Sequence, residues 1–224
     1  MFNHLQQPNL PNLSTVSMNG KRYYITPSGK YYPSVTTVVN ILNEKGIAEW
    51  RNKVGDYQAN IISSQAANLG SRIHSIIEKY INNESDILDT ATPQEKLMFG
   101  SVYSSLNRIN NIYCQEAPLY SDLLKMAGRT DCIAEFDGIP SIIDFKTSRK
   151  DKKEEYIKSY FLQGTSYSIM FEELTKIKIP QIVIIVVTYE GNINIFRKNR
   201  KDYFEPLKNI INEYYKREKY ATKE

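Results

Sequence analysis

The 224-residue chain has two cysteines, Cys114 and Cys132. Two thiols cannot build a disulfide framework, nor a four-cysteine zinc or iron–sulfur site within one chain. A reducing compartment is the default. No stretch reaches the ~18 consecutive apolar residues of a membrane helix. The longest apolar run, Ile182 to Val187, has the length of a strand. Ten glycines and nine prolines exclude a collagen-like or low-complexity chain. The N-terminal MFNHLQQPNLPNLS carries neither the apolar core of a signal peptide nor the Arg-rich pattern of a transit peptide. No Gly-x4-Gly-Lys-Ser/Thr segment occurs, so no nucleotide cofactor is expected. The formal net charge of +4 permits a nucleic-acid partner without demonstrating one.

What is present is an ordinary globular balance, 41% hydrophobic and 24% charged. The length allows ~1 to 2 domains. Seventeen tyrosines could serve a core or stack on bases. Residues 1–20 are polar, with two prolines, and read as a flexible N-terminal arm. Residues 21–224 read as one domain: a hairpin and helical region over 21–111, then a sheet with flanking helices over 112–224. The alternation around Pro27-Ser28-Gly29 predicts a hairpin from Arg22 to Tyr32. Ser34 is a candidate N-cap for a helix that Gly46 would end. Gly55 and Gly70 should punctuate the helical stretch from Ile47 to Asn82. Thr92-Pro93-Gln94-Glu95 is a capping box for a helix to about Asn110. Strands are expected over 112–120, 126–137 and 140–147, with a turn at Asp137-Gly138. A helix from Lys152 to Lys176, a buried strand Gln181–Tyr189, a short strand Ile193–Arg197 and a helix Asp202–Tyr220 follow. This order predicts an α/β fold with helices on the faces of a sheet.

Chemistry concentrates in residues 128–148. Asp144 and Lys146 are two apart on a strand and share a face, while Ile143 and Phe145 point into a core. Across the Asp137-Gly138 hairpin stands Asp131. Two carboxylates on neighbouring strands suit Mg²⁺ or Mn²⁺, and a nearby lysine completes a set able to cleave a phosphodiester. The metal would acidify water and offset transition-state charge, and the lysine would orient the water or the growing charge. A surface Asp–Lys pair is the bland alternative. Glu116 is either a simple surface acid or part of this group. Gln163 interrupts an apolar helix stripe, so its amide needs a partner in the interior or at the site; Tyr167 lies one turn on. His74 adjoins the Ile73/Ile77/Ile81 stripe, as a structural residue or a ligand.

Gly70-x3-His74-x3-Glu78, Glu116, Gly128-Arg129-Thr130-Asp131, Asp144-Phe145-Lys146-Thr147 and Gln163-x3-Tyr167 together resemble the motif set of the RecB-type branch of PD-(D/E)XK nucleases. Upstream, Tyr32-Pro33-Ser34-Val35-Thr36-Thr37-Val38 and Trp50 are similar to the mitochondrial genome maintenance exonuclease family and its phage relatives. The resemblance implies a restriction-endonuclease-like core, a mixed central sheet flanked by helices, with a helical N-terminal region. It implies a metal-dependent exonuclease acting on single-stranded DNA or flaps in replication, recombination or repair. Asp131, Asp144, His74 and the Phe145 carbonyl would hold Mg²⁺, with Mn²⁺ a possible substitute. Lys146 would be the catalytic lysine, Glu116 would support the site, and Gln163 and Tyr167 would orient it or touch DNA. Arg129, Thr147, Lys150 and Lys152 are candidate DNA contacts, although the run from Arg149 to Lys153 also reads as a solvated helix start. The helices of residues 55–70 could cover the site. Thr130 stands where the superfamily's proline would, which is usual for this branch. A duplex-resecting exonuclease, a ribonuclease and a non-catalytic DNA-binding protein on the same fold are the alternatives. The expected protein is a monomer in the cytoplasm of a bacterium or phage-infected host.

Overall fold

A computed structural model describes residues 1–221. Its first part is a small antiparallel sheet of β1 (Ser14–Met18), β2 (Lys21–Ile25) and β3 (Tyr31–Pro33), paired in that order. The expected hairpin joins β2 to β3, with Gly29 at φ +78°, a conformation that glycine takes at no steric cost. Residues 1–20, expected as a flexible arm, contain β1 and two further attachments to the fold. β1 pairs with β2 along its whole length, Leu13 is buried, and His4 bridges to Ile112. Ser-Thr-Val-Ser-Met lies mostly exposed on an edge, so it carries no hydrophobic period to betray a strand.

Ser34 caps α1 (Val35–Val39), its Oγ accepting the Thr37 N–H at 3.0 Å. A 3₁₀ turn leads into α2 (Glu44–Val54), which contains Gly46 rather than stopping before it. The break falls at Gly55, at φ +81°. Then α3 (Asp56–Ile81) runs 26 residues without interruption. Gly70, expected to divide it, is an interior residue, and a Cβ there would stand 3.4 Å from Thr147 Oγ1. The helix thus passes close over the sheet at that point. α4 (Pro93–Leu106) opens with the expected capping box between Thr92 and Glu95.

A mixed sheet follows: β4 (Ile109–Ser121), β5 (Met126–Phe136), β6 (Ile139–Ser148), β7 (Gln181–Thr188) and β8 (Ile193–Asn199), in that spatial order. Only β6 and β7 are parallel, and α5 (Lys158–Thr175) makes the crossover such a pair requires. Asp137 and Gly138, both at positive φ, turn β5 into β6 as expected. The helix predicted from Lys152 begins later, because only a 3₁₀ turn forms at Glu154–Tyr156. α6 (Phe204–Ala221) closes the described chain.

Strand residues alternate between two cores. Ile133, Ile142, Ile184 and Val186 pack with α1, α5 and α6. Cys132, Ile143, Phe145, Val183 and Ile185 pack with α3 and α4 on the other face. This is the α/β architecture expected, a mixed central sheet flanked by helices. Both cysteines are buried and unpaired, Cys114 toward the first core and Cys132 toward the second. The small sheet docks on β5: Ser34 bridges Ala127, and Leu13, Tyr24 and Tyr32 bury Ala127. No helix among the described residues is long and apolar enough to cross a membrane.

Candidate active site

The β5–β6 ladder runs from Phe136↔Ile139 to Cys132↔Ile143 and stops there. One step further, Asp131 would stand opposite Asp144, as the hairpin register predicts. Instead, Asp131 Oδ2 accepts the Phe145 N–H at 2.8 Å. A side chain replaces a strand carbonyl, and the two strands part at the charged residues.

Asp144 is 1% exposed. Its Oδ2 pairs with Lys146 Nζ at 2.5 Å, and its Oδ1 accepts from Gln163 Nε2 at 3.0 Å. This answers what the polar interruption in the α5 stripe is for. Burial pushes the Asp144 carboxyl up to about 6, with Lys146 pulling the other way. Burial also works against the Lys146 ammonium, but Asp144 and Asp131 together outweigh it and hold its pKa above the ordinary lysine value. Lys146 therefore keeps its proton at neutral pH.

Glu116 lies on β4 between the pairs Gln115↔Cys132 and Ala117↔Thr130, hence level with Asp131. Its φ is +45°, a left-handed backbone rare for a non-glycine residue within a strand. Burial, then the charges of Asp131 and Glu78, push its carboxyl up to about 7. Arg129 approaches it at 3.8 Å. From α3, His74 Nδ1 stands 3.6 Å from Asp131 Oδ2, with its ring edge-on to Phe145. His74, Glu116 and Asp131 each offer one ligand atom, all within 4.8 Å of one another. Two carboxylates and one imidazole suit a divalent ion such as Mg²⁺ or Mn²⁺.

These three residues line a cavity of about 600 Å³ together with Arg129, Gln163 and Tyr167. Asp144 and Lys146 sit immediately behind Gln163. Asp144 does not join the ligand-bearing group, because its oxygens are taken by Lys146 and Gln163. Glu116 does join it. Phe145 contributes its backbone N–H. Thr147 faces α3 at Gly70 instead of the cavity. Lys150 and Lys152 lie in the loop after β6, outside the cavity, where their N–H groups bond Ser148 Oγ and Asn194 Oδ1. The cavity wall takes α3 from Gly70 onward. Gln65, Asn68 and Leu69, from the stretch expected to cover the site, line a separate cleft of about 380 Å³.

Two glycines lie at close approaches beside the cavity. A Cβ on Gly128 would lie 2.7 Å from Tyr167 Cε1, so only glycine admits the buried ring. At Gly70 a methyl would come into ordinary contact with Thr147 Oγ1, at 3.4 Å, so α3 runs close to β6 one turn before His74. The cavity also contains residues absent from the predicted site. Glu78 was signalled by its place one turn after His74, and Thr36 lies within the Tyr32–Val38 stretch. Arg22 had no signal, since only the docking of the small sheet brings it there.

Fold and cavity together define an α/β protein with an acid-rich, candidate metal-binding cleft backed by a lysine. No family model matches the chain. Mitochondrial genome maintenance exonuclease 1 of Mus musculus is 26% identical over 111 residues, which is 50% of this chain and 29% of that protein. The chain therefore matches under a third of the length of that curated relative. A solved structure from Eubacterium rectale, provisionally named an exonuclease, shares 16% identity at a TM-score of 0.47, covering 65% of this chain and 63% of that one. The solved structure of SSO0001 shares 16% identity at a TM-score of 0.37, covering 80% and 74%.

Proposed function

We propose that the chain is a divalent-metal-dependent DNA exonuclease of the RecB-like PD-(D/E)XK type, acting on single strands or flaps. The observation that carries this is one cavity joining the His74–Glu116–Asp131 group to the Asp144–Lys146 pair through Gln163. The similarity to an exonuclease supports the same reading.

His74, Glu116 and Asp131 would hold the ion, Mg²⁺ by preference with Mn²⁺ as a substitute. When bound it supplies positive charge that acidifies water and offsets charge on the phosphoryl oxygen. The chain's own residues do the rest. The Phe145 N–H fixes the Asp131 carboxylate. Gln163 and Lys146 hold Asp144, and in return Asp144 keeps the proton on Lys146 Nζ. That ammonium is the group able to orient water or steady the developing negative charge. Arg129 and the Tyr167 hydroxyl face the same space and would contact the strand, by phosphate rather than by base, as a sequence-tolerant enzyme needs.

The test is a degradation time course on end-labelled single-stranded, duplex, flap and circular DNA, with Mg²⁺ or EDTA. Loss of linear single strands in Mg²⁺ alone, with circles spared and Lys146→Ala inert, is the expected outcome. Retained DNA binding with no cleavage of any substrate would overturn the catalytic reading.

A further inference from the structure

We infer that Arg22 and Thr36 form a phosphate-binding subsite in the wall of the cavity built by the small sheet and α1. The identity of the ligand, a phosphodiester of the bound strand, rests on the nuclease reading.

Arg22 lines the same cavity as the His74–Glu116–Asp131 group but comes from β2. Of the nine arginines in the sequence, seven pair with a carboxylate. Arg22 and Arg149 have none among the described residues, and only Arg22 lines this cavity. Its one protein hydrogen bond runs from Nη2 to Thr36 Oγ1 at 3.5 Å, the outer limit for such a bond. The remaining donors of the guanidinium fork have no acceptor among the described residues. Arg22 is an exposed residue whose fork rests against protein on one side. It lies 5.8 Å over the Tyr24 ring, and that ring is buried. The Arg22 carbonyl accepts the Ser34 N–H at 2.9 Å, which ties the residue to the start of α1. Thr36 Oγ1 is held in turn by Ser34 Oγ at 2.9 Å.

An acid-free guanidinium beside a fixed hydroxyl matches a phosphate. The other cation lining the cavity, Arg129, already approaches Glu116. Arg22 is thus the cavity's free positive charge, placed to bind a phosphate neighbouring the scissile one.

The experiment measures equilibrium binding of a fluorescein-labelled oligothymidylate in EDTA over a salt series, for wild type, Arg22→Ala, Arg22→Lys and Thr36→Val, alongside cleavage kinetics in Mg²⁺. Arg22→Ala should bind about tenfold more weakly. Its slope of log affinity against log salt should shrink by about 0.7, one single-strand phosphate contact. Arg22→Lys should restore the slope but only part of the affinity, and cleavage by it should show a raised KM at nearly unchanged kcat. Arg22→Ala with wild-type affinity and slope overturns the subsite, even if wild type cleaves DNA. Weakened binding in a wild type that never cleaves upholds the subsite and sinks the nuclease reading instead. If Arg22→Ala melts early, Arg22→Lys decides: wild-type KM and affinity there would refute the role.

Discussion

Replacing Gly128 by alanine should damage stability and the cavity in one step. The added methyl would meet Tyr167 Cε1 at 2.7 Å and its hydroxyl oxygen at 2.9 Å, closer than carbon atoms approach in folded proteins. The ring is 3% exposed and packs within the α5-side core, so it has nowhere to withdraw without moving its neighbours. Overpacking of this kind costs about 1–3 kcal/mol. Gly128 has no positive φ, so alanine also stiffens the unfolded chain and returns about 0.4–1 kcal/mol. At the midpoints of these ranges the net loss is about 1.3 kcal/mol, a melting temperature lowered by about 3–5 °C for a chain of this size. Thermal unfolding followed by circular dichroism gives the number. The decisive comparison is a double-mutant cycle. In a Tyr167→Ala background the methyl has room, and the second substitution should then stabilise by about 0.4–1 kcal/mol. If Gly128→Ala melts with wild type, or costs as much without the Tyr167 ring, the steric account is wrong.

Other outcomes follow from the same geometry. Lys146→Ala should lower cleavage at least about 10²-fold while oligonucleotide binding in Ca²⁺ persists; parallel loss of binding would show that Lys146 holds the strand. Gln163→Leu removes a donor from the buried Asp144 carboxylate and should cost about 1–3 kcal/mol in urea unfolding, whereas unchanged stability would remove Gln163 from that role. Metal affinity should rise with pH up to about 7, because Glu116 there carries a proton that an ion must displace, and then level off. Calorimetry in buffers of different ionisation heat should find a proton released per ion at mildly acid pH and almost none above pH ~8; an affinity independent of pH would contradict a Glu116 ligand.

Local signals exposed most of the fold. Asp137-Gly138 announced its turn, Thr92 and Glu95 their cap, and Ile182–Val187 its buried strand. These depend on neighbours in sequence or on simple period. Failures came where distant packing decides. β1 is legible only through its partner β2. Gly70 reads as a breaker but is an interior helical residue, because a close helix–sheet approach there favours a small side chain. At the site, residue types and spacing singled out Asp131, Asp144, Lys146 and Gln163, and the resemblance added His74 as a ligand. Which oxygen faces which partner was not readable. Asp131 turns to a backbone N–H where a ladder ends, Asp144 is claimed by Lys146, and Glu116 reaches the group on an inverted backbone. Arg22 became visible only once Ser34 was seen bridging to Ala127.

The two cysteines give this protein a built-in chemical clock. Cys132 occupies the last rung before β5 and β6 part, and Cys114 lies two residues from Glu116. Burial pushes the Cys114 thiol up to about 12 and holds Cys132 well above the ordinary thiol range. Neither offers a thiolate to an alkylating reagent while the sheet is closed. Alkylation must wait for β4 and β5 to open, so its rate counts those openings of the sheet that carries Glu116 and Asp131. An ion or strand that binds only the closed form would slow the clock by the factor 1 + [L]/Kd. Ligand affinity can then be timed in variants that have lost all turnover.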